Sequence, residues 1–171
     1  MTTLVLTLVG DDRAGLVAAV ADVVDAHGGN WEDSQLAELS GAFAGIVQIS
    51  VEPASADALR AALSGLDGLL TVTVHSSEKT GSDAAAPRQL TIGVLGNDRP
   101  GIVREISSVL RAHDVSIDRM TTGTRDAAMY GGRLFEATVS ARVPASVDLA
   151  EVKAELERLA TEIQVDVTLG G

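Results

Sequence analysis

No cysteine occurs in the 171 residues. That absence excludes a disulfide framework, a thiol nucleophile and thiolate metal sites together. Aromatics are nearly as scarce, with one Trp, one Tyr and two Phe, so any core must be built by aliphatic packing. Positive charge is thin: 13 Lys and Arg stand against 24 Asp and Glu, a formal net charge of −11. The cations form no basic stripe, and nucleic-acid affinity comes largely from neutralised phosphates, so direct nucleic-acid binding is not expected. The three histidines, His27, His75 and His113, show no HExxH or similar ligand spacing. No apolar run approaches membrane-spanning length, and no basic segment precedes an apolar one at the N-terminus. The expectation is a cytoplasmic protein without membrane attachment. P-loop, nucleophile elbow and dinucleotide fingerprint are missing as well, so the reading is non-enzymatic, with no catalytic residue, no metal and no cofactor.

What the chain does contain is a repeat. Gly10-Asp11-Asp12-Arg13-Ala14-Gly15-Leu16-Val17 returns eighty-six positions later as Gly96-Asn97-Asp98-Arg99-Pro100-Gly101-Ile102-Val103. In each copy an alternating apolar run, Leu4/Leu6/Leu8 or Leu90/Ile92/Val94, ends at a glycine, and helical periodicity starts at once. Both are therefore strand-turn-helix junctions. Pro100 suits a first helical turn, and Asp12 or Asp98 is placed to cap it. The open helix N-terminus is a ready site for a small anion, which the missing Cβ of Gly15 or Gly101 would let come close to the backbone.

Taken in order, the pattern predicts a strand over 2–9 with apolar residues on both faces, hence a central one. A helix over 13–27 follows, with Leu16, Val17, Val20, Val23 and Val24 as its buried stripe. Strands over 30–39 and 43–51 join at the Ser40-Gly41 turn. A second helix over 56–64 and a short strand over 70–74 complete β-α-β-β-α-β. Residues 77–87, small, polar and aperiodic, form a linker between domains at 1–76 and 88–171. The order then begins again, with a strand over 89–95, a helix over 99–113 (stripe Ile102, Val103, Ile106, Val109, Leu110), and an extended run over 115–122. A Gly/Thr/Asp-rich connection near 123–126, a strand over 133–143, a helix over 147–161 and a strand over 163–169 close the chain. Aligning the hairpins needs four extra residues in the second copy, an offset of ninety. With right-handed crossovers this order gives an α+β fold: two ferredoxin-like units, each a four-stranded antiparallel sheet with both helices on one face.

The sequence Asp98-Arg99-Pro100-Gly101-Ile102-Val103, set between a strand and an amphipathic helix, resembles the ACT domain, a small-ligand regulatory module that usually binds amino acids. Two copies with little else, together with Gly29-Asn30-Trp31-Glu32-Asp33-Ser34-Gln35, are similar to the tandem-ACT family of the glycine cleavage system transcriptional repressor. Repeat one departs from the pattern at Ala14, and repeat two carries Ser116 where the family usually has Asn. The resemblance implies an amino-acid ligand where two ACT domains meet. The matching positions are Gly10, Asp12, Gly15, Leu16 and Asn30 in repeat one and Gly96, Asp98, Gly101 and Ile102 in repeat two. Backbone N–H groups at the helix start would take the ligand carboxylate, Asp12, Asp98 or Asn30 its ammonium, and Leu16 and Ile102 would limit its side chain.

Other residues read more simply as structure. His27 and His113 each fall in a last helical turn, where partial positive charge is favourable. Trp31 reads as a core or interface anchor. Glu32, Asp33 and Asp118 make a poor metal site, because adjacent strand residues point to opposite faces. Arg125 and Arg133, flanking Tyr130-Gly131-Gly132, read as a solvated hairpin. The expected function is a regulatory protein that senses a small amino acid and signals through a protein partner, a transcription factor or metabolic enzyme, in control of glycine or one-carbon metabolism. It is expected to be a homo-oligomer. The alternatives are a detached regulatory subunit of an amino-acid metabolic enzyme, and a dimerisation module that has lost its ligand.

Overall fold

The structure, a computed structural model, describes residues 1–76, 85–128 and 131–171. It divides into two compact units, Met1–Gly81 and Ser82–Gly171. The linker expected over 77–87 lies outside the described residues as far as 84, as does Tyr130; residues 85–87 belong to no helix or strand.

In the first unit, β1 (Thr2–Asp11), α1 (Leu16–Ala26), β2 (Asn30–Leu39), β3 (Ala42–Val51), α2 (Ala56–Ser64) and β4 (Thr71–Ser76) follow one another. The sheet order is β2-β3-β1-β4, antiparallel throughout. Leu4, Leu6 and Leu8 alternate onto one face and are fully buried with Val47, Ile49 and Val51 of β3. Leu16, Val20 and Val24 of α1 and Leu59 and Leu63 of α2 join the same cluster, so both helices cover that face. β1 is interior to the sheet as expected, but its other face is not buried: Val9 is 57% exposed.

The second unit repeats the plan with β5 (Arg88–Asn97), α3 (Ile102–Ala112), β6 (Ser116–Asp126), β7 (Arg133–Val143), α4 (Leu149–Ile163) and β8 (Val165–Gly170), in sheet order β6-β7-β5-β8. Leu90, Ile92 and Val94 pack with Ile102, Ile106 and Leu110 of α3 and with Val152 and Leu156 of α4. Each unit is a ferredoxin-like βαββαβ fold.

Five expectations need correction. The helices start at Leu16 and Ile102, not at Arg13 and Arg99, because Gly15 (φ 90°) and Gly101 (φ 97°) hold left-handed backbone at the N-cap, a conformation that only glycine adopts without strain. Pro100 therefore lies in the turn before the cap, and neither Asp12 nor Asp98 caps a helix through its side chain. Val17 and Val103, placed on the buried stripes, are 41% and 39% exposed. Residues 123–126 are not a connection but the end of β6, paired to β7 as far as Asp126↔Arg133. The hairpin offset follows from the ladders: Asp11↔Ala42 corresponds to Asn97↔Leu134, so β3 and β7 differ by 134 − 42 = 92 positions, an insertion of six residues and not four. Alternation in β2 is also interrupted, by a bulge at Glu32 that β6 repeats at Asp118.

Candidate functional site

Each expected site loop is anchored to its own hairpin. The Asp12 N–H donates to the Gly41 carbonyl at 2.9 Å and the Asp98 N–H to the Arg133 carbonyl at 2.8 Å. Beyond them the helices begin without a side-chain cap, which leaves the first N–H groups of α1 and α3 without an intrahelical partner. Asp12 and Asp98 are exposed beside these starts.

Four of the nine expected residues are explained by packing. Leu16 and Ile102, each 2% exposed, face the cores. A Cβ on Gly10 would lie 3.0 Å from Leu70 Cβ, and one on Gly96 would lie 2.6 Å from Val165 Cγ1. Those two glycines let the last strand of each unit cross close to the first. Asn30 stands apart in another way. It pairs with Ser50, which pairs with Thr3, whereas the loop leaves β1 after Asp11. Eight strand positions separate the two levels, about 26 Å at roughly 3.3 Å per residue. Within the first unit, Asn30 and Asp12 are thus at opposite ends of the sheet. Ser116, opposite Arg142 and so level with Gln89, occupies the same low position in the second unit.

The loop arginines, to which the sequence pattern alone gives no role, differ between the units. Arg13 Nη2 donates to the carbonyls of Gly68 (3.2 Å) and Leu69 (3.1 Å), in the turn between α2 and β4. Arg99 instead makes a two-pronged ion pair with Glu105 of its own α3, Nη2 to Oε2 at 2.6 Å and Nη1 to Oε1 at 3.5 Å, and Nη1 also donates to the Pro100 carbonyl at 3.0 Å. Ala19 stands where Glu105 does, eighty-six positions earlier. The last strands differ by ninety-five positions, since Leu6↔Val74 corresponds to Ile92↔Leu169. The counterparts of Gly68 and Leu69 are therefore Ile163 and Gln164. These two border a cleft of about 570 Å³ whose other walls include Asn97, Arg99 and Glu105. Leu159 and Glu162 of α4 complete its lining. Arg99 and Glu105 are half-buried, their side chains 37% and 26% exposed.

The remaining candidates are structural. His27 Nδ1 donates to the Val23 carbonyl at 2.8 Å, which fixes its tautomer. His113, at the matching position, reaches Glu155 of α4 through Nε2 at 2.5 Å. Trp31 packs against the first core. Arg125 pairs with Glu136 at 2.7 Å, and Arg133 donates to Thr124 Oγ1, so the hairpin arginines serve the hairpin. Glu32 accepts from Gln48 Nε2 at 2.8 Å and Asp118 pairs with Arg142 at 2.5 Å. Among the described residues no helix is long and apolar enough to cross a membrane.

Comparison with known proteins agrees with this architecture. Family models for the ACT domain match residues 2–77 and 90–161. The chain is 26% identical over 161 residues to the glycine cleavage system transcriptional repressor of Escherichia coli K12, an alignment that covers 94% of this chain and 85% of that protein. A crystal structure of an unknown protein from Galdieria sulphuraria superposes with a TM-score of 0.86 at 27% identity, covering 98% of this chain and 96% of that one. A second crystal structure, named as a candidate glycine cleavage system transcriptional repressor, gives a TM-score of 0.69 over 99% of this chain and 96% of its own; at 22% identity it speaks for the fold alone. The chain belongs to the ACT-domain family and carries two such domains in tandem.

Proposed function

We propose that this chain is a non-catalytic regulatory protein, built of domains at 1–76 and 88–171, that senses a small amino acid and passes the signal by protein contact. The observation that carries the reading is the pair of glycine-capped helix starts, where α1 and α3 present uncapped N–H groups beside exposed Asp12 and Asp98. Backbone donors at a helix N-terminus suit a carboxylate, and a neighbouring acid suits an ammonium. Gly15 and Gly101 are central to such a site; Gly10, Leu16, Gly96 and Ile102 shape it from behind. Asn30, at the far end of its own sheet, would meet a ligand held at such a loop only from a neighbouring ACT domain. Similarity to a glycine cleavage repressor directs the reading to control of glycine or one-carbon metabolism, with the chain working as a homo-oligomer in the cytoplasm. At net charge −11 the regulatory effect passes through another protein, such as a transcription factor, and not through direct DNA contact.

Calorimetry and thermal melts with the common amino acids test this directly. A ligand at a hundred times its dissociation constant adds about 2.7 kcal/mol of stability, a clear melting shift. Failure of every amino acid to bind at millimolar concentration, or a salt-sensitive DNA shift by the pure chain alone, would refute the reading.

A further inference from the structure

The two arginines in equivalent loops make different commitments, and the difference assigns a ligand to one unit. Arg13 is spent on the carbonyls of Gly68 and Leu69. Arg99 has turned away from the matching carbonyls of Ile163 and Gln164, and the cleft of about 570 Å³ lies along them. A guanidinium carries five N–H donors. Glu105 and the Pro100 carbonyl take three, so two remain to meet an incoming acceptor without breaking the ion pair. Glu105 likewise accepts two bonds out of about four sites on its carboxylate. One wall therefore presents donors for an anion directly beside acceptors for a cation.

Building on the amino-acid reading above, we propose that this cleft in the second unit binds an amino acid with an aliphatic side chain. Its carboxylate sits on Arg99, its ammonium against Glu105 and Glu162, and its side chain on Leu159 and Ile163. The last pair lie four residues apart on α4, hence on one face, and both already pack against the core. The charged lining, Arg99 against Glu105 and Glu162, is negative by one charge, so a ligand with a second carboxylate is disfavoured. The cleft is of ordinary ligand-pocket size, which glycine alone does not fill.

Calorimetry of the full chain with L-leucine, glycine and L-glutamate decides it. L-leucine is expected to bind with one equivalent per chain and about tenfold or more tighter than glycine, since two buried methylenes account for that factor, and tighter than L-glutamate, whose second carboxylate meets the net negative lining. Arg99→Met should weaken L-leucine at least about tenfold, while Arg13→Met, checked with it by circular dichroism for an intact fold, should leave affinity within about twofold. If Arg99→Met does not fold, Glu162→Gln at the exposed rim replaces it, with several-fold weaker binding expected and unchanged binding overturning the proposal. L-leucine binding of unchanged affinity in Arg99→Met, or glycine binding as tight as that of L-leucine, overturns this placement and leaves the sensing reading standing. Absence of heat from L-leucine overturns the placement as well, and absence of binding by any common amino acid overturns the sensing reading too.

Discussion

The first unit spends its loop arginine across the fold, and the second spends the same arginine on its own helix. Arg13 reaches fifty-five residues along the chain to the α2–β4 turn, whereas Arg99 reaches six, to Glu105. One residue decides between these postures. Where α3 offers the Glu105 carboxylate in its first turn, α1 offers Ala19, and a guanidinium without a local carboxylate takes the best carbonyls within reach. Duplication kept the scaffold and changed what the loop is free to do. The histidines repeat the lesson with the directions reversed: His27 bonds within its own helix, while His113 crosses to Glu155.

The largest effect separating the units should come from β3 and β7. Gly45, opposite Leu36, corresponds to Ala137, opposite Thr122. A Cβ on Gly45 would stand 2.2 Å from the Gln35 carbonyl oxygen and 2.6 Å from Leu36 Cδ2. The clash is with backbone, which cannot swing aside, so Gly45→Ala should cost about 3 kcal/mol or more, at the top of the overpacking range. The reverse change, Ala137→Gly, loses a methyl 7% exposed and frees the unfolded backbone, for about 1–2 kcal/mol. Urea denaturation of both variants measures the gap; equal losses would mean that the two hairpins pack alike.

A middle-sized effect should separate the arginines. Arg13→Met removes two bonds that tie distant segments of the first unit, for about 1 kcal/mol. Arg99→Met removes a half-exposed local pair, worth about 0.2–1 kcal/mol. Denaturation midpoints without ligand should therefore fall further for Arg13→Met, and the reverse order would show that the Arg99–Glu105 pair is the structural one.

The fold was legible because strand period and glycine-bounded junctions occur twice, so each copy checked the other. Errors gathered where one residue type serves two purposes. Gly15 and Gly101 read as positions inside a helix, yet their positive φ makes each the cap from which the helix begins. Gly123 to Asp126 look like a loop, but the β7 ladder holds them in strand. The Arg99 cleft left no local signal at all, since its walls come from Asn97 to Glu105 and from Leu159 to Gln164, segments joined only by folding. Asn30 and Asp12 likewise lie at opposite ends of one sheet, a separation that only the strand ladders reveal.

The smallest effect concerns Val17 and Val103, which hold matching places one residue into α1 and α3. Apolar periodicity puts both on the buried stripe, and the structure leaves them 41% and 39% exposed. The late helix start explains this. The left-handed glycine sets the angle at which the chain enters the helix, so the core contact falls on the first residue, Leu16 or Ile102, and its neighbour turns about 100° away toward solvent. A half-exposed valine gives up little on replacement, and lysine has the better helix propensity and can lay its stem on the surface. Val17→Lys and Val103→Lys should thus each change stability by no more than about 0.5 kcal/mol. Val20→Lys, one turn further on at a fully buried position, should cost several times that. If Val103→Lys proves as damaging as a core substitution while Val17→Lys does not, the second unit buries that position in solution and the symmetry of the helix starts is broken there.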